Sequence, residues 1–247
     1  MMSNFQPGKL LDFFRYFDEE RTSHIDAINK LQDEIEALDP SLMSDEADWV
    51  KTFREESKSP PPPVNGYFTP LLMEQLTGYK YYLFDDVFIN DLNEMMKVTR
   101  FDQHRDAMCM LYANLAHESL NFKYMKEIDP GHYLNNRLDL GNRLPNDGPR
   151  FRGCGPLQVT GRASFEAFYR WLKDTKGIDD PAIVEIGTEY VAQKYPFQIA
   201  VSWIERNDLL NICLTQGFEA CCVRINGGYN GWKDRLEKWD HAKQFIL

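Results

Sequence analysis

Two carboxylates nine residues apart, followed by a glycine-rich segment that ends in an amide and a hydroxyl, are the groups in this chain best suited to chemistry. They read His117-Glu118-Ser119, then Glu127, then Gly148 to Arg162 with Gln158 and Thr160 near its end. Further on comes Asn226-Gly227-Gly228-Tyr229-Asn230-Gly231. Cleaving a glycosidic bond needs one carboxylic acid to protonate the leaving oxygen, and a second carboxylate to activate water or attack the sugar. Amides and hydroxyls then position the water and the polar groups of the sugar. Such a set suits an acid/base enzyme acting on a hydroxyl-rich polymer. On an unbroken helix, nine residues turn through about 900° and point to opposite faces. Glu118 and Glu127 can therefore share a cleft only if the helix ends between them. Ser119, Asn121 and the aromatics that follow permit that break. An inverting pair would hold its carboxyl groups about 6.5–9.5 Å apart, a retaining pair about 5–5.5 Å.

The elements that must position these residues read as helices. Apolar residues at spacings of three and four predict helices over 85–97 (Val87, Ile89, Leu92, Met96), 101–118 (Met108, Leu111, Tyr112, Leu115) and 162–174 (Phe165, Phe168, Tyr169, Leu172). Pro196 suits the first turn of another helix, through Ile199, Ala200 and Trp203. A last helix is expected over 231–245. Glu118 follows Leu115 by three residues and Leu111 by seven, at the edge of a buried face. The stretch 131–158 is rich in Gly, Asn and Pro and reads as a loop, of a length that usually signals function. Gly153, Gly155 and Gly161 read as backbone positions needing close approach or positive φ.

Before this region, Ser59-Pro60-Pro61-Pro62-Pro63 marks a boundary, because consecutive prolines lack N–H donors and favour an extended spacer. The expected division is a small helical module over 1–58, a Pro-rich linker over 59–66 and a catalytic domain over 67–247. Ile25, Ile28, Leu31, Ile35 and Leu38 form one apolar stripe in the module.

Composition excludes several classes. Of 247 residues, 43% are hydrophobic and 13% aromatic, enough for a packed core without staples. No run of 18 apolar residues occurs, so no membrane insertion is expected, and residues 1–10 lack the pattern of a secretory signal. The net charge is −10, and residues 1–58 carry 7 Lys/Arg against 14 Asp/Glu. Nothing resembles a phosphate-binding surface, so nucleic acid is not an expected partner. The five cysteines (109, 154, 213, 221, 222) are irregularly spaced with no histidine grouped near them. They read as reduced thiols, and neither a metal site nor a cofactor is expected.

Three segments carry a family resemblance. Ala116-His117-Glu118-Ser119, Asp147 to Arg162, and Ile225-Asn226-Gly227-Gly228 with Asp234-Arg235 together resemble glycoside hydrolase family 19, which holds plant-type chitinases and bacteriophage endolysins. The His-Glu-Ser and the nine-residue carboxylate spacing resemble the endolysin branch. Arg137 to Asn142, followed by Asn146 to Arg150, is similar to members from phages of cyanobacteria. The resemblance covers roughly residues 67–247. It implies a mainly α, lysozyme-like, two-lobed helical catalytic domain with long active-site loops. It also implies residue roles: Glu118 as general acid, Glu127 as general base, Thr160 holding the attacking water, and Gln158 and Asn226 binding the sugar chain. Arg235 would pair with an acidic residue and help orient Glu118. Competing accounts are a helix-end salt bridge for Glu118, an ion pair with Lys123 or Lys126 for Glu127, and an exposed helix salt bridge for Arg235. His117 reads as a packed, hydrogen-bonded histidine. Two positions depart from the family: its Gly-Arg-Gly reads Gly153-Cys154-Gly155, and an Asn reads Ser164.

The leading expectation is a peptidoglycan-degrading glycosidase, an endolysin or particle-associated lysin. It would hydrolyse β-1,4 links between N-acetylated aminosugars, with inversion. It would be made in a host cytoplasm and act on the cell wall. The alternatives are a chitinase, or a structural phage-particle protein with a wall-binding fold and little activity. Other particle proteins would then be partners through residues 1–58.

Overall fold

A computed structural model describes residues 67–246. The module expected over 1–58, the linker over 59–66 and Leu247 lie outside the described residues. The described part is helical. Its only β-type pairings are isolated bridges joining Lys126 to Cys154 and Cys154 to Val159. The longer helices are α1 (Pro70–Thr77), α2 (Asp86–Val98), α3 (Arg105–Glu118), α4 (Arg162–Lys176), α5 (Thr188–Lys194), α6 (Pro196–Arg206), α7 (Leu209–Asn226) and α8 (Trp232–Phe245). Among these residues no helix is long and apolar enough to cross a membrane.

Local chemistry explains both ends of α1 and the start of α2. Thr69 caps α1 by accepting the Leu72 N–H at 3.1 Å, Pro70 opens the first turn, and Gly78 closes the helix in the left-handed region. Asp85 caps α2 through the Phe88 N–H at 2.7 Å. The apolar face of α2 differs from expectation at one position. Val87 is 48% exposed, while Phe88, Ile89, Leu92, Met95 and Met96 are buried. The helix is rotated so that Phe88, the larger side chain, takes the core place. α7 was not legible from periodicity, because it bends at Gly217 (φ 81°, ψ −168°) and its apolar residues do not form one stripe.

Two groups of helices frame the molecule. α7 and α8 pack on α3, while α6 packs on α2 and α4. Met108, Leu111, Tyr112 and Leu115 of α3 are all buried, as their spacing requires. Arg105 at the start of α3 donates to the carbonyl of Ile246 at 2.7 Å, tying the end of α8 to the same helix. The stretch 131–158 is irregular, with single helical turns at His132–Leu134, Leu138–Leu140 and Asp147–Arg150. One buried ion pair staples it. Asp147, fully buried, accepts from Arg162 Nε at 2.9 Å and Nη2 at 2.5 Å, and from the N–H groups of Arg143 and Leu144. The five cysteines are buried thiols.

Candidate active site

The site is built around the end of α3. The helix stops at Glu118, with Ser119 as its cap residue. Leu120, Asn121 and Phe122 then carry positive φ values of 51°, 57° and 66°. Three consecutive non-glycine residues in the left-handed region are costly, at about 1–3 kcal/mol each. They persist here because the surroundings hold them. The Ser119 hydroxyl donates to Leu115 O at 2.6 Å and accepts the Phe122 N–H at 2.9 Å. The Phe122 ring is buried against Phe88 and Tyr112, with centroids 5.6 and 5.9 Å away. Lys238 of α8 donates to the Asn121 side chain at 3.0 Å. The break that the nine-residue spacing demanded therefore exists, one residue after the first carboxylate.

The first cluster surrounds Glu118. Arg235, 1% exposed, donates from Nη2 to Glu118 Oε1, and from Nη1 to Asn114 Oδ1 at 2.6 Å. The Glu118 side chain is 19% exposed, so it is not sealed from solvent. The pair is not the exposed helix salt bridge that the sequence left as an alternative, because the guanidinium is in the interior. Arg235 Nε and Asn226 Nδ2 both donate to the carbonyl of Asn230, at 3.4 and 3.3 Å, which brings Asn226 into this cluster. Next door, His117 Nδ1 is 2.6 Å from Asp234 Oδ2, the packed and hydrogen-bonded state expected of it. Burial works to raise the Asp234 carboxyl, but His117 and Lys238 outweigh it and hold it below the ordinary range. Two successive residues of α3 thus meet two successive residues of α8. Gly231 makes that approach possible, since a Cβ there would lie 2.2 Å from the His117 ring.

The second cluster surrounds Glu127. Its Oε2 accepts the Gly153 N–H at 2.8 Å and its Oε1 accepts the Tyr133 hydroxyl at 2.5 Å. Its backbone N–H donates to Gly153 O at 2.9 Å. A side chain at position 153 would meet Gln158 Oε1 at 2.5 Å and Glu127 Cβ at 3.2 Å, so it would fit only if Gln158 and Glu127 shifted. Gln158 Nε2 donates to Gly155 O at 3.1 Å and Tyr124 O at 3.3 Å, and Thr160 donates to Gln158 O at 2.8 Å. Lys126 does not pair with Glu127. It pairs with Glu189 at 3.0 Å, and Glu189 also takes Arg152 at 2.5 Å. Of the other acids nearby, Asp129 accepts the Gly131 N–H and Asp139 pairs with Arg137.

The two clusters are joined through the backbone. Tyr124 N donates to Ser119 O at 2.9 Å, and Tyr124 O accepts from Gln158. Glu118, Arg235 and Asn226 thus gather at one end of this connection, and Glu127, Gln158 and Thr160 at the other. Cys154 is fully buried and bonded through its backbone to Val159. Two cavities among the described residues are lined by neither carboxylate. One of about 120 Å³ sits between α2, α4 and α6, and one of about 250 Å³ is lined by Arg100, His104 and Asn211. Sequence reasoning missed Asn114, Tyr133 and the Arg152–Glu189 pair. Only Tyr133 carried a signal, as an aromatic residue within the long polar loop.

The architecture has counterparts among solved structures. A glutamate-to-glutamine mutant of chitinase C superposes with a TM-score of 0.53 over 75% of this chain and 95% of that one, at 16% identity. The two chains share a fold. Chitinase C from Streptomyces griseus HUT6037 matches likewise, with a TM-score of 0.50, 17% identity, and coverage of 74% of this chain and 94% of that one. At these identities the likeness is one of fold. In sequence, the chain is 29% identical over 103 residues to a glycosyl hydrolase family 19 domain-containing protein of Haemophilus influenzae (strain ATCC 51907 / DSM 11121 / KW20 / Rd). That match covers 41% of this chain and 46% of the relative, so the chain spans about half of that protein's length. No family model matches the chain.

Proposed function

We propose that the chain is a glycoside hydrolase that cleaves β-1,4 links between N-acetylated aminosugars by inversion, with peptidoglycan as its polymer. The observation that carries this reading is the left-handed turn at 120–122. It ends α3 at Glu118 and sends the chain directly into the segment that bears Glu127. Glu118 is the proposed acid. Arg235 engages its Oε1, which leaves Oε2 to deliver a proton to the leaving oxygen. Glu127 is the proposed base and removes a proton from water as that water attacks the anomeric carbon. Thr160 donates its hydroxyl hydrogen to Gln158 O, so its lone pairs can accept the water's other hydrogen. Gln158 Oε1 and Asn226 are proposed to contact the sugar chain. The partial relative named for family 19 and the chitinase fold support the glycosidase class. The step from there to peptidoglycan, to a phage lysin made in a host cytoplasm, and to particle partners through residues 1–58 rests on the sequence resemblance.

Purified protein is to be assayed on peptidoglycan, by clearing of permeabilised cells, and on chitin, by release of reducing ends. Clearing of peptidoglycan with inversion at the anomeric carbon supports the proposal. Activity on chitin alone favours the chitinase reading, whose support is the fold likeness. Binding to walls with no cleavage of either polymer favours the structural particle protein.

A further inference from the structure

Resting on the glycosidase reading, we propose that Tyr133 is a positioning residue for Glu127, its hydroxyl fixing the base carboxylate and its ring serving as a surface for the adjoining sugar. The Tyr133 hydroxyl donates to Oε1 at 2.5 Å, while the Gly153 N–H donates to Oε2 at 2.8 Å. Two donors, one on each oxygen, fix the rotation of the carboxylate plane. An ionised carboxylate offers about four acceptor sites, so both donors leave room for a water molecule.

The hydroxyl is tied down, yet the residue is 61% exposed. A tyrosine retained for packing would bury its ring. This one satisfies its polar end and leaves the ring in solvent beside a candidate base. An exposed aromatic ring with a fixed polar end is a rigid contact surface, because little side-chain freedom remains to be lost on binding. The backbone beneath it is equally constrained. Asp129 accepts the Gly131 N–H at 2.8 Å, and the next side chain, Leu134, is buried. Asn142 donates to Leu134 O at 2.9 Å. Burial of the polar end and the Glu127 carboxylate together push the phenol up to about 12, so it remains a donor throughout the neutral range.

Tyr133→Phe removes the donor and keeps the ring, whereas Tyr133→Leu removes both. On whichever polymer the wild-type chain cleaves, Tyr133→Phe is expected to lower kcat by about 10–100-fold, the scale of one hydrogen bond to a charged group. KM should stay within about twofold. Tyr133→Leu should show the same kcat loss and a raised KM. A residue that merely held the loop would instead lower the melting temperature and shift both constants together. A Tyr133→Phe protein with kcat within about twofold of wild type overturns the positioning role, and a Tyr133→Leu protein with unchanged KM overturns the contact surface. Failure of the wild-type chain to cleave any β-1,4-linked aminosugar polymer overturns the glycosidase reading, and this inference with it.

Discussion

Glu118 and Glu127 are the same residue type in different settings. Glu118 is gripped on one side by a buried guanidinium, while Glu127 accepts one donor on each oxygen from a backbone N–H and a phenol. Replacing Glu118 by Gln keeps the shape and removes the acid. Hydrolysis is expected to fall by at least about 100-fold, the lower end of general acid–base contributions. The circular dichroism spectrum should be unchanged, and near-normal hydrolysis by a folded Glu118→Gln protein would remove this residue from the mechanism. Arg235 acts on both stability and geometry. Substituting it with Met leaves Asn114 Oδ1 buried without its donor, and the Glu118 carboxylate without its cation. A loss of about 3–5 kcal/mol is expected, as for other buried pairs broken at one partner. Denaturant unfolding measures it, and a loss below about 1 kcal/mol would mean that the pair behaves as a surface salt bridge.

At the scale of the element, the turn at 120–122 decides the site. Its unfavourable backbone is held in place by Phe122, buried between α2 and α3. Phe122→Ala removes that anchor. It should cost about 3–5 kcal/mol through the cavity and lost contacts. Activity should fall further than the folded fraction explains, because the turn would relax and shift Glu127 relative to Glu118. Specific activity per folded molecule, compared with a Phe→Ala change at the remote, buried Phe168, separates the two effects. Equal losses would show that the turn contributes stability alone.

At the scale of the whole molecule, Asp147 and Asp180 are among the described carboxylates that link stability to pH. Burial raises Asp147, but Arg162 and the N–H groups of Leu144 and Arg143 outweigh it and bring it to about 2. Burial likewise raises Asp180, and Tyr190, Lys194 and Tyr195 bring it to about 2. A carboxylate depressed on folding stabilises the native state fully above its unfolded value, about 3.9. That stability is lost as pH falls through the folded value. The melting temperature should therefore drop between about pH 4 and pH 2, and Asp147→Asn should be less stable at neutrality with a flatter profile over that window. The module expected over 1–58 belongs to the same scale. A chain beginning at Val64 retains both carboxylates, the glycine-rich loop and the turn at 226–231. It is expected to cleave soluble wall fragments at a comparable rate while losing action on intact walls, because tethering raises local concentration. An insoluble product would instead mean that the stripe at Ile25, Ile28, Leu31 and Ile35 packs on the catalytic part, against the two-part division.

What the sequence determined by itself was local. The periodicity of α2, α3 and α4 and the proline that opens α6 depend on neighbours within four residues, and so does the need for a break after Glu118. The signals for α1 were equally local, Thr69-Pro70 at its start and Gly78 at its end, yet they sat too close to the proline-rich stretch to stand out. α7 was hidden by its bend at Gly217, which divides its apolar residues between two faces. Arg235 could be assigned an acidic partner only by resemblance, because 117 residues separate it from Glu118. The tertiary structure alone decided that Asn114 shares that guanidinium, that Gly231 lets His117 reach Asp234, and that Tyr133 and Gly153 divide the oxygens of Glu127. Each of these contacts exists because packed helices or a stapled loop carry distant backbone to within hydrogen-bonding reach, and spacing along the chain carries no information about that approach.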